Sequence, residues 1–285
     1  MTQEEYIAKA IPHLTILAEE IYAYQDGHEQ KKRESWYASD LGKCMRGLYY
    51  ARKGETPKEL PEHVKNVRFE GKLKELEMLL KLLLEGVEII STQERLYNEE
   101  LDISGRPDAI IKTIINPLLP KKRIVVEEIK TVNSRAFWYR YDKKDNRFEP
   151  FEHHIDQTTY YLHELRKQYP DIIGRIRYRS RDDGTEVLCV INYREDVWKK
   201  IEHRLVVLNQ FWQTQKLPPL PDAIIFDKRK KMWVINWVAA YCDYHHLCTG
   251  NEFWREQALA EIKQMNQKDP LKPKTKEQFD WFLTG

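Results

Sequence analysis

Three residues carry the clearest chemistry in this chain. Asp108 follows Pro107, and Glu128 and Lys130 flank Ile129 twenty positions further on. Each group sits at the end of a strand-like apolar segment, Asp108 beside Ala109-Ile110-Ile111 and Glu128 beyond Ile124-Val125-Val126. Carboxylates supply oxygen ligands to a hard divalent cation. Such a cation lowers the pKa of a bound water and screens a phosphate. A lysine beside it orients the water or offsets developing charge. Metal-dependent hydrolysis of a phosphodiester needs this combination. An isolated Asp, or a lone Glu-x-Lys triplet, describes only a solvated face; the three together at the ends of apolar strands favour catalysis.

Strands and helices must bring these groups together. The residue pattern predicts strands over 87–98, 102–113 and 123–130, after a long helix over 62–85 that ends at Gly86. Pro107 within the second strand marks an edge or a bulge, a feature common beside active sites. A helix over 150–169 is closed by Pro170, and a hairpin follows over 172–193 with Asp183-Gly184 at its turn. A helix over 195–215 is stopped by Pro218, Pro219 and Pro221. Upstream, residues 2–25 read as an amphipathic helix, and Ser39 is the expected N-cap of another running to about Lys53. The tail holds a short apolar stretch over 232–240, a Cys/His turn and a helix over 251–265. This order predicts an α/β fold, a central mixed sheet flanked by helices. We expect one elaborated domain, with a helical N-terminal segment (1–60), a core (61–193) and a C-terminal segment (194–285).

The chain has 285 residues, 41% hydrophobic and 32% charged, which fits a soluble globular protein with a polar surface. Sixteen Tyr and eight Trp argue against disorder. No run is long enough to cross a membrane and no basic-then-apolar start is present, so the expected location is cytoplasmic. Four cysteines make no disulfide framework in a chain this long; burial or metal binding is expected of them. The net charge of +2 excludes little, but residues 121–147 hold nine Lys/Arg against four Asp/Glu. Positive charge around Lys130 suits a nucleic-acid partner, although for 140–147 alone a solvated basic loop is a competing reading.

The Pro107-Asp108 and Glu128-x-Lys130 arrangement resembles the PD-(D/E)xK nuclease superfamily. Gly71-x-x-x-Glu75 in the preceding helix is similar to the motif that gives the family its third metal ligand; Glu70, Glu77 and His63 lie nearby. Gln157 and Tyr161, four apart and so on one helix face, look like the Gln-x-x-x-Tyr motif of the RecB-like branch. Ser39-x-Leu41-x-x-Cys44-x-Arg46-x-x-x-Tyr50 resembles the signature of RecB-like exonucleases, including the CRISPR-adaptation exonuclease, the AddB nuclease subunit and viral relatives. The likeness runs from about Ser39 to Cys248.

The resemblance implies a restriction-endonuclease-like core and a Mg- or Mn-dependent deoxyribonuclease, an exonuclease on single-stranded DNA ends in recombination, repair or CRISPR adaptation. Glu75, Asp108, Glu128 and the Ile129 carbonyl would hold the metal. Lys130 would place the water, with Gln157 and Tyr161 supporting it and the strand. A helicase, recombinase or integrase is the implied class of protein partner. A reading of a different class is a non-catalytic subunit that binds DNA ends; the joint presence of Asp108, Glu128 and Lys130 weighs against it.

Iron–sulfur members of the family join the N-terminal cysteine to three more, spaced Cys-x-x-Cys-x5-Cys, and bind a 4Fe-4S cluster through thiolates. Cys44, Cys242 and Cys248 match, and Ala239 stands at the remaining position. Three outcomes stay open: a cluster with Asp243, His245 or His246 as fourth ligand, zinc in a Cys/Cys/Cys/His site, or a segment held by packing alone. Cys189 reads as a small buried hydrophobe. Arg175, Arg177, Arg179 and Arg181 share one face of a strand. They either track a phosphate backbone or charge an exposed edge against aggregation. Arg46 and Arg135 are further candidate DNA contacts. Phe137-Trp138-Tyr139 either stacks on unpaired bases or plugs the core.

Overall fold

The computed structural model describes residues 33–116, 118–142, 144–227, 231–249 and 254–268, together with residues 8, 11, 12, 15, 16, 18 and 19. Most of the helix expected over 2–25 lies outside the described residues. In chain order the first elements are β1 (Trp36–Tyr37), a 3-10 turn (Ala38–Asp40), α1 (Met45–Lys53), α2 (Glu62–Leu84), β2 (Glu88–Thr92), β3 (Leu96–Asn98), β4 (Ile103–Gly105), β5 (Ala109–Asn116) and β6 (Leu119–Val132). Next come α3 (Ser134–Arg140), β7 (Tyr141–Asp142), β8 (Arg147–Phe148), α4 (Glu152–Leu165), β9 (Ile173–Ser180), β10 (Glu186–Ile191) and α5 (Glu195–Gln213). The last are β11 (Ile224–Asp227), β12 (Met232–Ile235), α6 (Trp237–Ala240), α7 (His245–Thr249) and α8 (Trp254–Lys268).

The chain divides into two compact units, residues 1–42 with 60–213, and residues 43–59 with 214–285. The larger unit is built on a five-stranded sheet in the order β10-β9-β6-β5-β2. Only β6 and β9 pair in parallel; the other neighbours are antiparallel. A three-stranded sheet, β1-β4-β3, lies in the same unit. This is the expected α/β core, a mixed sheet flanked by helices.

The alternation of β6 assigns its two faces. Val125 and Ile129 join Met78, Leu79 and Leu82 of α2 and Ile173 of β9 in one buried cluster. Each such side chain contributes roughly 1.5–3 kcal/mol on burial. Glu128, out of phase with them, meets Gln157 of α4 on the other face. Strand β6 is therefore covered on both faces over residues 125–129.

Three expectations need correction. The strands predicted over 87–98 and 102–113 are each two strands, broken at residues 93–95 and 106–108. Ser39 is not a helix N-cap: it lies in the 3-10 turn, and α1 starts after Cys44. Pairing of Trp36 and Tyr37 with β4, and the ion pair of buried Asp40 with Arg33, fix the segment before a helix can begin. The strand predicted over 123–130 is longer, extending to a hairpin with β5.

In the smaller unit, β11 and β12 form an antiparallel hairpin. Asn266 of α8 caps it, accepting from Trp233 N at 2.8 Å and donating to Trp233 O at 3.0 Å. Among the described residues, no helix is long and apolar enough to cross a membrane.

Candidate active site

The two strand breaks create the site. Below them Thr92 pairs with Ala109, and above them Leu96 pairs with Gly105. One antiparallel register thus runs through both arms, and it sets Gln93 opposite Asp108. Freed from the ladder, both side chains reach a cleft of about 570 Å³. Lys72, Glu75, Arg95, Arg106, Glu128, Lys130, Gln157 and Tyr161 also line it. Gly105 is needed just above the break: a Cβ there would stand 2.6 Å from Tyr161 and 2.8 Å from the Ala38 side chain.

Asp108 is 5% exposed. Its Oδ2 accepts the Ile129 backbone N–H at 2.6 Å, which ties it to β6, and its Oδ1 accepts Gln93 Nε2 at 3.3 Å. Glu128 is 1% exposed. Its Oε1 takes Lys130 Nζ at 2.5 Å and Gln157 Nε2 at 2.7 Å, while Oε2 is buried with no hydrogen-bond partner. Gln157 also donates to Tyr161 Oη at 2.9 Å, and Tyr161 donates to Arg106 O at 3.1 Å. Glu75 enters from α2, paired with Lys72 at 2.7 Å.

The electrostatics follow from crowding acids in a dry place. Burial, and then the Asp108 carboxylate, push Glu128 up to about 8 and Glu75 up to about 7. Burial alone would lower Lys130, but Glu128 and Asp108 outweigh it and hold the ammonium above the ordinary lysine range. Burial, then Glu128, raise Tyr161 well above a free phenol, so it remains a donor.

A hard cation fits this donor set. An unpartnered buried carboxylate oxygen costs about 1–3 kcal/mol or more, and Glu128 Oε2 is such an atom. The acids are carboxylates, the ligand type that divalent cations prefer. Among the described residues no three His, Cys, Asp or Glu side chains stand close enough to hold an ion as they lie. Lys72 and Lys130 instead occupy oxygens of Glu75 and Glu128.

The alternatives to Glu75 lie elsewhere. Glu70 and His63 are exposed, and Glu77 pairs with Lys74 and Arg179. Lys72, Gln93 and Arg95 are cleft residues that the sequence reading missed. Lys72 was visible as the helical neighbour of Glu75, and Gln93 follows from counting the hairpin register from Asp108. Arg95 had no signal of its own.

The arginine series needs a correction. Arg175 and Arg177 are buried and spend their guanidiniums on Glu127, with Nε to carboxylate distances of 2.5 and 2.8 Å. Arg179 pairs with Glu77 at 2.8 Å and reaches Glu186 at 3.7 Å. Neither a phosphate-tracking stripe nor an exposed edge describes these three; Arg181 alone is exposed, beyond the strand end. Arg135 is exposed on α3. Phe137 is fully buried against Phe148, whereas Trp138 and Tyr139 are 38% and 48% exposed.

Cys44, Cys242 and Cys248 all belong to the smaller unit. Cys242 is hydrogen-bonded to the Cys44 thiol; that bond and burial hold it protonated, far above a free thiol. Burial, then Cys44, raise Cys248 as well. Ala239 offers only its carbonyl, to Cys242 N at 3.4 Å. Arg46 donates Nε to Pro218 O at 2.6 Å within this unit. Cys189 is buried in β10.

No protein-family model matches the chain, and no curated protein does. Among solved structures, SSO0001 is similar at 21% identity over 82% of this chain and 95% of its own, with a TM-score of 0.42. The alkaline exonuclease LHK-Exo from Laribacter hongkongensis is similar at 14% identity over 65% of this chain and 90% of its own, with a TM-score of 0.46. The same enzyme in complex with dAMP matches at 14% identity over 67% and 93%, with a TM-score of 0.46.

Proposed function

We propose that this protein is a deoxyribonuclease that hydrolyses phosphodiester bonds with Mg or Mn, acting as an exonuclease on single-stranded ends. The observation that carries the reading is Glu128 Oε2, a buried carboxylate oxygen with no hydrogen-bond partner, in a cleft that also holds Asp108, Glu75 and Lys130. Glu75, Asp108 and Glu128, with the Ile129 carbonyl, would hold the cation. When bound, it supplies charge neutralisation at the phosphate and a water of lowered pKa.

The remaining work falls to side chains. Lys130 Nζ is fixed by Glu128 Oε1 and presents its other hydrogens to the cleft, where a nucleophile or a non-bridging oxygen would accept them. Gln157 holds that Glu128 oxygen from behind. Arg95 and Arg106 at the break bring positive charge to the cleft, which suits a phosphate backbone. The preference for single-stranded ends comes from the family resemblance.

The test is degradation of end-labelled single- and double-stranded DNA with Mg, Mn or EDTA, beside Lys130→Ala. Metal-dependent cleavage that disappears in the variant is the expected result. Cleavage by Lys130→Ala at the unaltered rate would sink the assignment. DNA binding without cleavage would instead favour the end-binding subunit.

A further inference from the structure

Gln93 has a backbone φ of 51°, in the left-handed region that glycine enters freely and a residue with a side chain does not. It occupies the break between β2 and β3, one residue past the Thr92–Ala109 rung, directly across from Asp108. Its side chain lines the cleft and donates Nε2 to Asp108 Oδ1. Nothing in the fold itself demands glutamine here, because glycine would satisfy this backbone without strain. An unfavourable conformation kept at a cleft is a reason to look for a use of the side chain.

We propose that Gln93 is a positioning residue for cation binding, holding Asp108 Oδ1 in the orientation a ligand needs. This rests on the metal-dependent reading above. Asp108 has one oxygen fixed by the Ile129 N–H and could pivot about it. Gln93 holds the second oxygen, and it does so with a neutral donor at 3.3 Å. The contrast is with Lys72, whose ammonium lies 2.7 Å from Glu75 and cancels its charge. An amide aims the carboxylate and leaves its full charge for a cation.

The experiment is calorimetric titration of the full chain with Mn²⁺, without DNA, for the unaltered protein, Gln93→Gly, Gln93→Ala and Asp108→Ala, alongside thermal unfolding of each. Gln93→Gly keeps the backbone conformation and relieves its strain, so its melting temperature should match or exceed that of the unaltered protein. Both Gln93 variants should bind Mn²⁺ about ten- to hundredfold more weakly, the usual loss for an orienting partner. Gln93→Gly binding Mn²⁺ with unchanged affinity, while Asp108→Ala loses it, overturns the role of Gln93 alone. Failure of the unaltered protein to bind Mn²⁺, or unchanged binding by Asp108→Ala, overturns the metal reading and this inference together.

Discussion

Gln157 Nε2 lies 2.7 Å from Glu128 Oε1, the same oxygen that receives Lys130 Nζ. Both donors therefore converge on one oxygen of the carboxylate, and Oε2 is left buried without a hydrogen-bond partner. The relay continues from Gln157 to Tyr161 and on to Arg106 O. Gln157→Leu should free Glu128 to rotate, lowering cleavage by about ten- to hundredfold in line with other orienting partners. Tyr161→Phe should cost about 0.5–1.5 kcal/mol of stability and a smaller part of the activity. The double variant should fall short of the sum of the two, because they act through one chain. Urea unfolding and initial cleavage rates measure all three.

Glu127 is adjacent to Glu128 yet serves a different purpose. It is fully buried and pairs with both Arg175 and Arg177, the latter also reaching Glu186 at 3.2 Å. Glu127→Ala would leave two buried guanidiniums without their main partner and should destabilise by about 3–5 kcal/mol. Arg181→Ala, at an exposed position, should change stability by less than about 0.5 kcal/mol. If the Glu127 variant unfolds at the same urea concentration as the unaltered protein, the pairing is not structural.

His154 provides a pH-dependent test beside Lys130. Its Nδ1 is 2.9 Å from Tyr178 Oη. Burial first, then Lys130, His153 and Arg140, hold it well below the ordinary histidine range. The folded protein therefore resists protonation that the unfolded chain accepts near pH ~6.5. The neutral histidine's contribution is fully present above that value and is lost as pH falls toward the depressed folded pKa. The slope approaches about 1.4 kcal/mol per pH unit. His154→Gln keeps a hydrogen-bonding group but cannot titrate, so urea midpoints measured from pH 7.5 to 5 should flatten for this variant relative to the unaltered protein.

Gly105→Ala tests the packing behind the site. A methyl group would meet Tyr161 Cε1 at 2.6 Å and the Ala38 Cβ at 2.8 Å. The expected cost is about 1–3 kcal/mol, with Tyr161 displaced from Gln157 and activity reduced beyond what the lost stability explains. A variant that is destabilised yet turns over normally would separate the glycine from the site.

Local signals in the sequence led to the parts of this architecture that local physics decides. Asp183-Gly184 marks its hairpin, with Gly184 at φ 70°, and Gly86 ends the long helix at φ 73°. The apolar runs around Asp108 and Glu128 located the strands of the cleft. Non-local pairing hid the rest. The arginines of β9 were correctly placed on one face by their spacing, but their partner, Glu127, becomes visible only once β6 and β9 lie parallel. The strand breaks were hidden for a related reason. Residues 93–95 and 106–108 are polar but for Pro107, and polar residues also stand on exposed strand faces, so only Pro107 hints at an interruption.

Those two breaks are equal in length, three residues in each arm. Equality is what lets the hairpin resume its pairing on the far side. A single residue inserted in either arm would leave Asp108 facing the wrong neighbour and would turn one strand's inner face outward. Chain length between Thr92 and Leu96, and between Gly105 and Ala109, is thus constrained as tightly as residue identity. These two short stretches act as a ruler, and homologous chains that share the site should differ there by substitution and never by insertion.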